Sequence, residues 1–125
     1  MAGVEPPRRS SFDRHGLAWF VQRITAAFLV VVLAFHFFLL HFVNHAADIT
    51  FAGTRFRMSQ LGYLATMWLF LVTATVHGVN GVYNALINQG MSGSTKRAVG
   101  GLLALAGVVL ILQGTRVALA MTNLV

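Results

Sequence analysis

The 125-residue chain has no cysteine, two prolines that stand together at Pro6-Pro7, and three acidic residues. Without thiols there is no disulfide, no iron–sulfur ligation and no thiolate nucleophile in this polypeptide. Charge of either sign is scarce. Charged residues make up 10% of the chain against roughly 25% in a soluble domain, while hydrophobic residues make up 57%. The mean hydropathy of +0.73 completes the picture of a membrane protein. The formal charge of +6 raises the question of nucleic acid. The basic residues flank apolar runs instead of clustering in a patch, so nucleic acid is not an expected partner. No internal repeat or low-complexity segment is present.

What the chain does have is length without charge. No charged residue falls between Arg23 and Asp48, or between Arg57 and Lys96. Each window exceeds the ~20 apolar residues that cross a bilayer core. A third run covers residues 99–115 and continues past Arg116 to Met121. The expected fold is therefore an all-α membrane protein of three transmembrane helices. The reading divides into a polar tail (1–16), a helix (17–45), an outer loop (46–60), a helix (61–87), an inner loop (88–98) and a helix (99–121). The tail resembles a signal-peptide n-region, but the run after it is longer than an h-region and has no small-residue cleavage site, so retention is expected. This division leaves no room for an extramembrane domain, and any soluble chemistry is expected in other subunits. Gly100, Ala104, Gly107 and Gly114 form a stripe of small residues along one face of the third helix, which lets helix backbones approach closely in lipid. Arg8, Arg9, Arg14, Arg23, Lys96 and Arg97 fall on one side; Arg55, Arg57 and Arg116 fall on the other. The positive-inside rule then places the N-terminus in the cytoplasm and the protein in the cell membrane.

Three histidines, His36, His41 and His77, interrupt the apolar runs. An imidazole in hydrocarbon is costly without a partner, so each is a candidate for metal or haem ligation or for proton transfer. His36 stands about 20 Å along the first helix from Arg23, and His77 roughly 14 Å from the inner end of the second. They are expected at different depths, each facing its own haem if both ligate. Around His77 the sequence reads Thr73, Thr75, His77-Gly78-Val79-Asn80-Gly81. Thr73 shares its face, Gly81 one turn later makes room for a flat macrocycle, and Asn80 needs a partner within the bundle. A structural histidine hydrogen-bonded to a neighbouring helix is an equally open reading. His36, in Ala34-Phe35-His36-Phe37-Phe38, is either a ligand with an aromatic wall or part of ordinary core. His41 and His45 have the i, i+4 spacing of a metal pair, but their place at the helix end favours solvation. Arg23 either snorkels to headgroups or pairs with a carboxylate such as a haem propionate; Gln22 and Thr25 add polarity at its level.

Together these features resemble the membrane-anchor subunits of the succinate:quinone and quinol:fumarate oxidoreductase family, closest to the two-anchor, two-haem type. The resemblance covers nearly the whole chain. It rests on Trp19-Phe20-Val21-Gln22-Arg23-Ile24-Thr25-Ala26, on His36 thirteen residues after Arg23, on Asp48-Ile49-Thr50-Phe51, and on His77-Gly78-Val79-Asn80-Gly81. It implies a complex in which a flavoprotein with FAD oxidises succinate and an iron–sulfur subunit passes electrons to quinone. Two three-helix anchors would hold one or two haems b between them. His77 would ligate the haem nearer the iron–sulfur subunit, His36 an outer haem, and Arg23 would lie near propionates and quinone. Many members carry an Asp-Tyr pair eleven and twelve residues after the helix-two histidine, the tyrosine bonding quinone. Here those positions are Asn88 and Gln89, whose amides are the remaining candidates for a quinone contact. The resemblance leaves a haem-free structural anchor as the main alternative, with a subunit of an unrelated transporter or cytochrome complex behind it.

Overall fold

The computed structural model describes residues 12–43 and 45–122. Most of the expected polar tail, Arg8 and Arg9 included, lies outside the described residues. Every regular element among them is helical: α1 (Phe12–Phe38), a π-helical turn (Leu39–Val43), a 3₁₀ turn (Ala46–Asp48), α2 (Phe51–Ser59), α3 (Leu61–Asn88) and α4 (Gly93–Ala120). Three stretches are long and apolar enough to cross a membrane: Gly16–Val43, Leu61–Asn88 and Gly93–Ala120. The chain is thus an all-helical membrane protein, as its charge distribution predicts.

The helices run past the apolar windows. The expected third span starts at residue 99, yet α4 begins at Gly93, because Ser94, Thr95, Lys96 and Arg97 form a polar first turn. Hydropathy marks where lipid begins; backbone hydrogen bonding marks where the helix begins. Residues 46–60, expected as a polar loop, hold the nine-residue α2. Its start is fixed by Thr50, whose hydroxyl accepts the Gly53 N–H at 3.1 Å, an N-cap that satisfies one of the orphan donors of a first turn. Met58 is buried on this helix, while Phe51 and Phe56 stay exposed. The α3–α4 connection is closed by a Schellman motif. The Gly90 N–H bonds Ile87 O at 2.9 Å and the Met91 N–H bonds Leu86 O at 3.2 Å. This geometry places Gly90 in the left-handed region at φ 96°, where a Cβ is penalised.

α3 is the middle helix, packed against both α1 and α4. The small-residue stripe on α4 forms the α3–α4 seam. A Cβ at Gly100 would lie 3.1 Å from the Tyr83 ring, one at Gly107 3.2 Å from Val79 Cγ2, and one at Gly114 2.5 Å from Leu71 Cδ2. Beside Gly114, Trp68 Nε1 donates to Thr115 Oγ1 at 2.9 Å. Beyond these seams there is little interior: Val32 and Met58 are the buried large hydrophobic side chains among the described residues. Leucines and valines on all three spans, with phenylalanines on the first, face outward, as lipid requires. Val79 and Thr75 are β-branched and cannot rotate away from a side chain at position 107. Gly107→Leu is therefore expected to destabilise the helix layer by about 1–3 kcal/mol, read as a lowered Tm in detergent. Gly62→Leu, at a glycine with open space around it, should leave the Tm near wild type.

Candidate functional site: a polar clamp on His77

In the middle of the α1–α3 seam five polar side chains form one hydrogen-bonded group. The Thr25 hydroxyl lies 2.9 Å from His77 Nδ1. The Gln22 amide nitrogen lies 3.3 Å from His77 Nε2 and 3.4 Å from the His77 carbonyl. Asn80 donates to Gln22 Oε1 at 2.6 Å, and Asn84 donates to Asn80 Oδ1 at 3.2 Å. On α1, Gln22 and Thr25 are three residues apart and so project to one side. On α3, His77, Asn80 and Asn84 fall on one stripe for the same reason. The two polar stripes meet, which is how helices in lipid satisfy groups that water cannot reach.

The network assigns the histidine tautomer. Thr25 Oγ1 donates its hydrogen to its own helix, at 2.7 Å to Val21 O or 3.1 Å to Gln22 O. Its oxygen is then an acceptor, so the proton between it and the ring sits on Nδ1. The Gln22 amide nitrogen can only donate, which requires a lone pair on Nε2. Both arguments give the same neutral form, Nδ1–H with a free Nε2 pair, assigned from hydrogen bonding. That is the form in which an imidazole ligates a metal through Nε2.

Arg23 lies one residue from Gln22, is exposed, and holds its guanidinium carbon 4.8 Å from the centre of the Trp19 ring. This cation–π contact steers it along the outer face of α1 and leaves its donors available to an anion. Gly81, which the sequence suggests as room for a macrocycle, instead makes room for Gln22: a Cβ there would lie 3.3 Å from the amide nitrogen. Gly78, beside the imidazole, has open space.

The structure does not bring His36 into this group. It stands eleven residues along α1 from Thr25, about 16 Å away along the helix axis. It lines a cavity of about 260 Å³ with Val32, Leu33, Met67 and Phe70. That is smaller than the ~300–1,000 Å³ of pockets that enclose drug-sized ligands, so a large cofactor at His36 needs walls from another chain. His36 makes no hydrogen bond with any described residue, and Met67 is a neighbour that sequence reading missed. His41 Nδ1 approaches Phe37 O at 3.0 Å and its ring stacks on Phe37 with centroids 4.2 Å apart. The π turn ends at Val43 and His45 has φ 44°, so the i, i+4 relation of a continuous helix does not hold between His41 and His45. Asn88 and Gln89 are exposed at the end of α3, roughly 17 Å along the axis from His77. Sequence reading noted Gln22, Thr25 and Asn80 as polar but not as partners of His77; the signal was present as matching polar spacings on two antiparallel helices.

Residues 8–115 match the family model described as the succinate dehydrogenase/fumarate reductase transmembrane subunit. The chain belongs to that family. A succinate dehydrogenase hydrophobic membrane anchor subunit from Thermoplasma acidophilum is 27% identical over 124 residues, covering 99% of this chain and 97% of the relative. One of the same description from Archaeoglobus fulgidus is 30% identical over 90 residues, covering 72% and 76%. The family match takes in Gln22, Thr25, His77 and Asn80, so the polar clamp lies inside the region that defines the anchor family.

The clamp is expected to be cooperative. Gln22→Leu leaves His77 Nε2 and the Asn80 amide nitrogen without partners, and Asn80→Leu frees Gln22 Oε1. Each is expected to destabilise the chain by about 0.5–2 kcal/mol. A double-mutant cycle read from thermal or denaturant unfolding should give a coupling of about 1 kcal/mol.

Proposed function

We propose that this anchor-family chain is the haem b-binding membrane subunit of a succinate:quinone oxidoreductase and that His77 is an axial ligand. The observation that carries this reading is the Thr25 hydroxyl 2.9 Å from His77 Nδ1 and tied back to Val21 O, which assigns the Nδ1 proton to that bond and leaves a lone pair on Nε2. The residues present fit a haem. The hydrogen-bond partner of Nε2 is the Gln22 amide, a long contact at 3.3 Å on a rotatable side chain. Arg23 is exposed a turn away with free donors suited to a propionate, and the Gly78 side is open. When bound, haem supplies a one-electron carrier inside the membrane. The chain's own residues hold it: His77 by its nitrogen, Arg23 by charge, and the outward apolar faces of α1 and α3 by excluding water. His36 takes the same role about 16 Å further along α1, where a second haem would sit.

The scarcity of interior makes a second anchor subunit the natural cover for the site, and a further iron ligand would come from that subunit. FAD and the iron–sulfur clusters belong to a flavoprotein and an iron–sulfur subunit, since this chain has no cysteine and no group of three or more metal-binding side chains among its described residues. Quinone is the electron acceptor, with Arg23 near its site and Asn88 and Gln89 as the amide candidates at the end of α3. The direction, succinate oxidation or fumarate reduction, is set in those partners.

One observation favours a second reading. Both ring nitrogens of His77 are already partnered within the chain, which is what a haem-free anchor would require of a structural histidine. An optical spectrum of the purified complex separates the two. A reduced b-type band, lost at the inner haem in His77→Ala and only at an outer haem in His36→Ala, supports ligation. Absence of any such band in the wild-type complex leaves the structural anchor.

The distribution of basic residues supports an N-terminus in the cytoplasm. A chain without native cysteine makes this direct to test: Ser94→Cys in intact cells should resist a membrane-impermeant thiol reagent, and Ser59→Cys should be labelled. The opposite pattern would invert the topology.

A further inference from the structure

We propose that Thr25 is the positioning residue for His77, holding the imidazole proton on Nδ1 so that Nε2 is presented to iron, and that Gln22 is a placeholder which gives way. The proposal rests on the haem-ligand reading above. Its ground is the unequal quality of the two contacts. The Thr25 bond is short, at 2.9 Å, and its geometry is determined twice. Threonine is β-branched, and its Oγ1 is tied back to the preceding turn of α1 at 2.7 Å. That back-bond uses the hydroxyl hydrogen and points the oxygen lone pairs across the seam. A chain of hydrogen bonds running one way, from Nδ1–H to Oγ1–H to Val21 O, polarises each member.

Gln22 is different. Its amide nitrogen makes two long contacts, 3.3 Å to Nε2 and 3.4 Å to the His77 carbonyl. Its firm bond is from Asn80 to its oxygen, at 2.6 Å. Rotation of the terminal amide away from Nε2 gives up the weak pair while Asn80 can keep the oxygen. Gly81 leaves the space for that side chain, because a Cβ there would meet the amide at 3.3 Å. One partner of the ring thus stays and the other leaves when a metal centre takes Nε2.

The two roles differ in electronic consequence. An acceptor on Nδ1–H raises the basicity of the imidazole and so favours ferric over ferrous iron. Removing it should raise the midpoint potential of the haem at His77 without changing the ligand. The test is a redox titration of haem absorbance, with haem content measured alongside, in the intact complex carrying Thr25→Val or Thr25→Ser. Support is an upward-shifted potential for one haem in Thr25→Val with near wild-type behaviour in Thr25→Ser. If Thr25→Val loses that haem altogether, retention in Thr25→Ser supports the proposal, and loss in both overturns it, since the methyl would then matter more than the hydroxyl. An unchanged potential with full haem content in Thr25→Val overturns the proposal and leaves ligation by His77 standing. A wild-type complex with no haem overturns the ligand reading itself.

Discussion

An imidazole between two helices in lipid has to have both ring nitrogens occupied, and the α1–α3 seam is arranged around that requirement. A lone polar group without water costs several kcal/mol, more than the interhelical contacts near it return. Thr25 and Gln22 meet the demand on one helix; on the other, Asn80 satisfies Gln22 and Asn84 satisfies Asn80. Removing any one member strands the next. The seam therefore fixes the rotation of α1 against α3, and with it the positions of Arg23 and His36.

The second seam works by opposite means. α4 has little to offer α3 in polar contacts beyond the Trp68–Thr115 bond. It docks by subtraction, with Gly100, Gly107 and Gly114 drawing the backbones together over Tyr83, Val79 and Leu71. α3 is thus polar along one stripe and knobbed along another, and it holds a hydrogen-bonded neighbour and a close-packed one at the same time. The α1 side carries the larger hydrogen-bonded group, and the candidate site lies there.

Much of this was legible in the residues. Charge-free windows locate three spans because the cost of charge in lipid is large and local, and the small-residue stripe on the last span locates a packed face because only small residues permit close approach. His77 with Asn80 stands out for the same reason that charge does. Partnership was harder to read. That Gln22 and Thr25 meet His77, and not some residue of another chain, depends on the offset between α1 and α3, and that offset is set by a connection whose structure hydropathy does not encode. α2 was hidden for a related reason: Thr50 marks its start, but Arg55 and Arg57 give it the composition of a loop. Likewise Met67 beside His36 is unremarkable in sequence and becomes a neighbour only through that same offset.

The connection between α3 and α4 has a consequence for biogenesis. A tight reversal at Gln89, Gly90 and Met91 joins two apolar helices of equal length. Such a hairpin holds the two helices antiparallel with little slack between them, so α3 and α4 can pair in the bilayer with their glycine seam zipped before α1 joins them. α1 would then have to find its place against a preformed surface, guided by the asparagines exposed on it.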